Sequence, residues 1–302
     1  MKRRNWIAGA GAAITGGTLI SSEVESAAAT AGGLQSLAPS PRMPVLFVGH
    51  GSPLNAIGDN AFRSSWQALG AEFGKTLPKP QLILCVSAHW LTRGWHLTGM
   101  ARPRTIHDFG GFPQELFDQQ YGAPGAPAVA RQIAAGIREP QVGIDEAEWG
   151  YDHGTWSVLK PMFPDASIPV LQLSMDYGRP PAEHFALGQQ LRSLRDRGVL
   201  IVGSGNIVHN LRAVRRDAGP MQAYPWAFDF DAKTARLLET GALAELADFQ
   251  KLGEVAQLAH PTYDHYLPLL HAAGAVHPGE KMRFFNANFQ AGSISMRSVV
   301  WG

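Results

Sequence analysis

Three short apolar runs constrain this chain most, because each stops abruptly at glycine or histidine. Val45 to Val48 gives way to Gly49-His50-Gly51-Ser52-Pro53. Leu82 to Ser87 runs into Ala88-His89-Trp90, and Val199 to Val202 into Gly203-Ser204-Gly205-Asn206, with His209 just beyond. Near-continuous apolar runs suit strands covered on both sheet faces. Open α/β sheets place their sites at the carboxyl edge of such strands. One histidine at a strand end means little, but three in the same context predict one site assembled from several loops.

Helical and strand periodicities alternate through the rest of the chain. Ile57 to Phe73, Ala126 to Ile137 and Ala182 to Asp196 read as helices, Ala227 to Asp248 as one or two, and Ser157 to Met162 as a short one. Trp95 to Met100 and Ile168 to Met175 read as strands. Arg283 to Phe289 and Ser293 to Val300 read as closing strands paired in a hairpin. Thr105 to Pro113 and Trp149 to Trp156 read as irregular, aromatic-rich loops, and His260 to Gly274 as a loop followed by a helix. The expected fold is α/β: a single domain over 43–302 with a central mixed, mostly parallel sheet flanked by helices on both faces. No repeat or linker divides it.

The N-terminal residues are of a different material. Lys2-Arg3-Arg4, a weakly apolar Gly/Ala segment from Trp6 to Ile20, and Ala27-Ala28-Ala29 follow the three-part layout of a secretory signal. The paired arginines are similar to a twin-arginine signal. Residues 1–29 are therefore expected to be a cleaved signal read by the twin-arginine export machinery, giving a periplasmic protein without stable membrane insertion. Residues 30–42, rich in Gly, Ser and Pro, are expected to be a flexible lead-in. A net charge of +1 gives no electrostatic case for nucleic acid. The single cysteine, Cys85, lies in an apolar strand and reads as an inert buried thiol.

Among eleven histidines, those beside glycine or at strand ends are the site candidates: His50, His89, His153, His209 and His265, with His107 as a sixth. Imidazole ligates metals and titrates near neutrality, so it suits both metal binding and proton transfer. His96, His184, His271 and His277 lack that context and read as structural; His260 is left open. There is no HExxH helix, no CxxC pair and no Walker loop, and Ser204 is not in a GxSxG elbow.

Six stretches in order, PVLFVGHGSP, SAHW, TIHDFGGFP, WGYDHGTW, GSGNIVHNLR and HPTYDHYLPLL, resemble the DODA-type (4,5-DOPA) extradiol aromatic ring-opening dioxygenases of the class III superfamily. The resemblance runs from about Pro44 to Gly302. It implies a metal held by His50, His89 and His265, with His209 as a further ligand or as the acid/base, and His153 as a second acid/base candidate. The wider superfamily usually has a glutamate as third ligand; here the matching segment offers His265, with Asp264 adjacent. Fe(II) is expected for dioxygenase activity, and Zn(II) suits the same imidazole-rich site. The implied reactants are O2 and a small catechol, DOPA-like, and the product is a ring-opened semialdehyde. Trp90, Phe109, Phe112, Trp149 and Tyr151 are candidate pocket walls. A zinc hydrolase using the same histidines is the alternative enzyme, and a non-catalytic metal-binding protein the third reading.

Overall fold

The computed structural model describes residues 33–302. The export signal expected over 1–29 lies outside them. From Gly33 onward the lead-in is tied to the body. Leu37 is in the core, Gln132 Oε1 accepts from Leu34 N at 2.7 Å, and Gln81 both accepts from Ala38 N and donates to Ala38 O.

In chain order the strands are β1 (Val45–Gly49), β2 (Leu82–Thr92), β3 (Trp95–Thr98), β4 (Arg104–Thr105), β5 (Val142–Asp145), β6 (Gly150–Tyr151), β7 (Val170–Asp176), β8 (Val199–Gly205), β9 (Met282–Phe285), β10 (Phe289–Gln290), β11 (Ile294–Ser295) and β12 (Ser298–Trp301). Eight of them form the main sheet, in the order β5-β3-β7-β2-β8-β1-β12-β9. β5/β3, β7/β2, β2/β8 and β8/β1 pair in parallel. β3/β7, β1/β12 and β12/β9 pair antiparallel. The sheet is mixed and mostly parallel, as expected.

Successive strand residues point to opposite faces, and here both faces are covered. Val45, Phe47, Leu84, Val86, Val199 and Ile201 enter one core, while Leu46, Val48, Ile83, Cys85, Leu200 and Val202 enter the other. Helices Pro127–Gly136, Pro181–Leu191, Pro225–Thr240 and Leu267–Gly274 cover the first face, and Ala61–Gly70 and His153–Met162 the second. Two buried faces are the physical reason these strands show no polar alternation.

Several local expectations shift. β2 continues through His89 to Thr92, and its ladder with β7 slips between Val86 and Leu91. His89 therefore sits within an irregular strand, not in the loop after it; such irregularities re-aim side chains beside sites. The stretch expected as a loop at Trp149 to Trp156 becomes β6 and then the helix His153–Met162, because Asp152 caps it by accepting from Thr155 N at 3.1 Å. The helix expected over Ile57 to Phe73 is shorter, Ala61–Gly70, capped by Asn60, and a separate 3-10 turn, Pro53–Ala56, precedes it. Ala227 to Asp248, expected as one or two helices, holds two: the α-helix Pro225–Thr240, ended by Gly241 with a left-handed φ of 72°, and the 3-10 stretch Leu243–Leu252. The closing hairpin is present as β9/β12, with a small β10/β11 ladder inside it. β5 was not anticipated, since its residues are all half-buried and show no clear alternation.

Candidate metal centre

Because β2, β8 and β1 are adjacent and parallel, their carboxyl ends lie together on one edge. His50 follows β1 there, its N–H bonded to Gly205 O at 3.1 Å. His89 comes from the irregular part of β2, and His209 from the loop after β8. His153 is the first residue of its helix. His265 precedes the helix Leu267–Gly274, which lies directly against β8. Glycine makes that approach feasible: a Cβ at Gly205 would fall 2.2 Å from His265 O, and one at Gly203 2.4 Å from Pro268 O.

Five imidazoles from five chain segments thus meet. The His50 ring centre is 5.1 Å from His89, 5.5 Å from His153 and 5.2 Å from His265. His89 is 3.9 Å from His153 and 4.9 Å from His265. His209 stacks on His265 at 3.5 Å, with the rings 8° from parallel. The tightest set of ligand atoms belongs to His50, His89 and His153, all within 4.8 Å of one another.

The hydrogen bonds settle which nitrogens are free. Ser204 Oγ donates its proton to Gly154 O, because a carbonyl can only accept. Its oxygen must then accept from His50 Nδ1, 3.0 Å away. His89 Nδ1 and His153 Nδ1 face Asp108 Oδ2 at 3.2 and 3.0 Å. His265 Nδ1 bonds Asp264 Oδ2. A proton on Nδ1 is thus set for His50 and His265 and favoured by the nearby carboxylate for His89 and His153, leaving Nε2 as the lone-pair nitrogen. His50 Nε2 and His89 Nε2 are only 3.2 Å apart. Two lone pairs at that separation repel unless a cation lies between or beside them. Oriented imidazoles with hydroxyl and carboxylate partners on the far nitrogen are the arrangement metal sites use, so these residues fit a divalent metal.

Electrostatics agree. Burial, then the neighbouring imidazoles, holds His50 and His265 well below the usual histidine value of 6.5. Burial brings His89 to about 3 and His209 to about 4. Neutral imidazole is the ligating form. For Asp108, burial works upward, but the hydrogen bonds and charge of His153 and the charge of His89 outweigh it and bring it to about 2. Asp152 is driven the other way by burial, to about 6, despite accepting from Ser87 Oγ, Trp149 Nε1 and Gln172 Nε2.

The remaining histidines stand apart. His107 Nε2 donates to Gln119 O at 2.9 Å, with the ring packed among Phe109, Phe117 and Trp156. His260, left open by the sequence, donates to Ile207 O at 2.6 Å inside an aromatic cluster. His184 and His271 pair at 3.0 Å under Trp95. Of the expected pocket walls, Phe109 lies 5.6 Å from His153 and packs on Phe112. Trp90 and Trp149 stack on each other at 5.7 Å. Tyr151 is not a wall: it is fully buried, its hydroxyl donating to Val170 O at 2.9 Å. Sequence reasoning passed over Asp108, Ser204 and Asp152 as site-building groups. The only available signal was their place inside the quoted motifs.

Fold and site together define an α/β protein with a histidine-built non-haem metal centre at a sheet edge. Residues 44–298 match the family model of the catalytic LigB subunit of aromatic ring-opening dioxygenase. A 4,5-DOPA dioxygenase extradiol from Escherichia coli K12 is 47% identical over 265 residues, covering 87% of this chain and 96% of the relative. A protein of the same name from Beta vulgaris is 36% identical, covering 83% and 94%. The crystal structure of an uncharacterized Escherichia coli K12 protein superposes with a TM-score of 0.73 at 40% identity, covering 86% of this chain and all of that one. The chain belongs to the LigB family, in its DODA-type class III extradiol branch, and is an oxidoreductase of the dioxygenase class. Membership sets the chemistry apart from the zinc hydrolase and storage readings.

Proposed function

We propose that this chain opens the ring of a DOPA-like catechol next to its diol, incorporating O2 and releasing a semialdehyde, at Fe(II) held by His50, His89 and His265. The observation that carries this reading is the convergence of Nε2 lone pairs, 3.2 Å apart between His50 and His89, in a chain 47% identical to a relative named for DOPA. When bound, the metal supplies the site where both reactants are brought together and oxygen is activated. The chain's own part is to orient and to move protons. His209 takes the proton from the catechol's second hydroxyl; its ring makes no hydrogen bond among the described residues, and burial holds it near 4, in the basic, neutral form. The same imidazole then gives that proton back as the ring opens, and His153 is the second candidate for this acid/base role. Phe109 and Phe112 form an apolar wall that excludes water from the aromatic ring. Export to the periplasm by the twin-arginine route belongs to the same proposal and rests on Lys2-Arg3-Arg4 and the segment to Ala29; cell fractionation tests it.

One observation favours a second ligand set: His153, rather than His265, completes the tightest trio with His50 and His89. Metal content of purified His265→Ala and His153→Ala separates the two. The proposal expects His265→Ala to lose the metal and His153→Ala to keep it while losing turnover. The reverse pattern would move His153 into the ligand set.

A further inference from the structure

Asp108 is on the loop between β4 and the short helix Gln114–Phe117, and its side chain is 18% exposed. One backbone hydrogen bond and two close imidazole nitrogens converge on it from two elements. Oδ1 accepts the backbone N–H of His153 at 2.9 Å. Oδ2 lies 3.2 Å from His89 Nδ1 and 3.0 Å from His153 Nδ1. A carboxylate accepts only, so at these distances a proton on Nδ1 is the attractive arrangement for both rings, although neither ring nitrogen lies on the axis of a hydrogen bond and His153 Nδ1 is buried without one. No other group among the described residues is placed to enforce that tautomer on both. The rings themselves are 3.9 Å apart, so a change in one is felt by the other.

Resting on the metal-site reading above, we propose that Asp108 is a positioning residue: a single carboxylate that sets the tautomer of His89 and His153 together and so leaves Nε2 as the lone-pair nitrogen of each. It ties a metal ligand from β2 to the proton-handling histidine at a helix start. The requirement is for a carboxylate specifically. Asp108→Asn has the same shape, but its amide presents one acceptor and one donor. If the NH2 faces the rings, each ring relieves the clash by moving its proton to Nε2, which removes the lone pair. If it faces the backbone, a donor meets the His153 N–H. Either way the contact fails on one side.

The test uses two readouts on full-length, folded protein, with thermal midpoints checked first. In the metal-free protein, long-range proton–nitrogen NMR of the imidazoles reads the tautomers directly. His89 and His153 are expected as Nδ1–H in the wild type, with at least one switching to Nε2–H in Asp108→Asn. Either ring as Nε2–H in the wild type, or both unchanged in the variant, overturns the proposal. Chelator competition then reads affinity for Fe(II) or Zn(II), expected to fall 10- to 100-fold in Asp108→Asn; equal affinity also overturns it. If the wild type itself takes up neither metal, the metal-site reading fails, while the tautomer result still decides the role of Asp108.

Discussion

Replacing Gly205 by alanine tests whether backbone contact between β8 and the last helix sets the metal site. The added Cβ would sit 2.2 Å from His265 O, more than 1 Å inside ordinary van der Waals contact. That oxygen cannot swing away like a side-chain tip, because it also accepts Asn206 N at 2.8 Å. The segment carrying His265 must therefore move by about 1 Å. Overpacking of this kind costs about 1–3 kcal/mol, and a displacement of about 1 Å at a reacting site costs on the order of 100-fold in rate. Gly203→Ala is the control: it meets Pro268 O at 2.4 Å, one helical turn further from His265. Both variants should lose similar stability in urea denaturation, but Gly205→Ala should lose far more bound metal and turnover. Wild-type metal content and activity in Gly205→Ala would refute the idea that this contact positions His265.

Two further outcomes follow from buried polar groups. Asp152→Ala removes a helix cap, about 1 kcal/mol, and strands the donors of Ser87, Trp149 and Gln172, at about 1–3 kcal/mol for each that stays unpaired. A stability loss of about 2–4 kcal/mol is expected in urea denaturation, and a loss below about 0.5 kcal/mol would contradict the burial of that network. Burial, offset by nearby backbone acceptors, brings His184 to about 4, and burial lowers His271 as well. The unfolded chain binds more protons than the folded one between about pH 6.5 and 4, so stability must fall as pH drops through that window. For His184 alone the drop from 6.5 to about 4 corresponds to about 3 kcal/mol. Metal-free protein with an unfolding midpoint that holds level or rises on acidification would contradict this.

How much was legible depended on the range of the signal. The runs at Val45, Leu82 and Val199 identified the three adjacent parallel strands because burial on both faces leaves a purely local apolar mark. Glycine beside His50, and the Gly203-Ser204-Gly205 run ahead of His209, marked the sheet edge because they too are local in sequence. His89 was found, but its place inside β2 was not, since a ladder slip depends on the partner strand β7. The helix expected over Ser157 to Met162 was found, but its start at His153 was hidden because its cap, Asp152, is held from Ser87 and Gln172, far away in sequence. Asp108 reaches His89 and His153 only after folding, and no local pattern announces a carboxylate shared by two loops. Tyr151 read as a wall because aromatic residues look alike in sequence whether they line a cleft or fill a core.

The most direct test of the central claim is oxygen uptake by protein loaded with Fe(II) in the absence of air and then given DOPA and related catechols, with the product's visible spectrum recorded. The account predicts iron-dependent uptake of one O2 per catechol and a yellow ring-opened product, both lost in His50→Ala and His89→Ala. No uptake with iron or any other divalent metal across the catechols, from folded metal-bound protein, would contradict it.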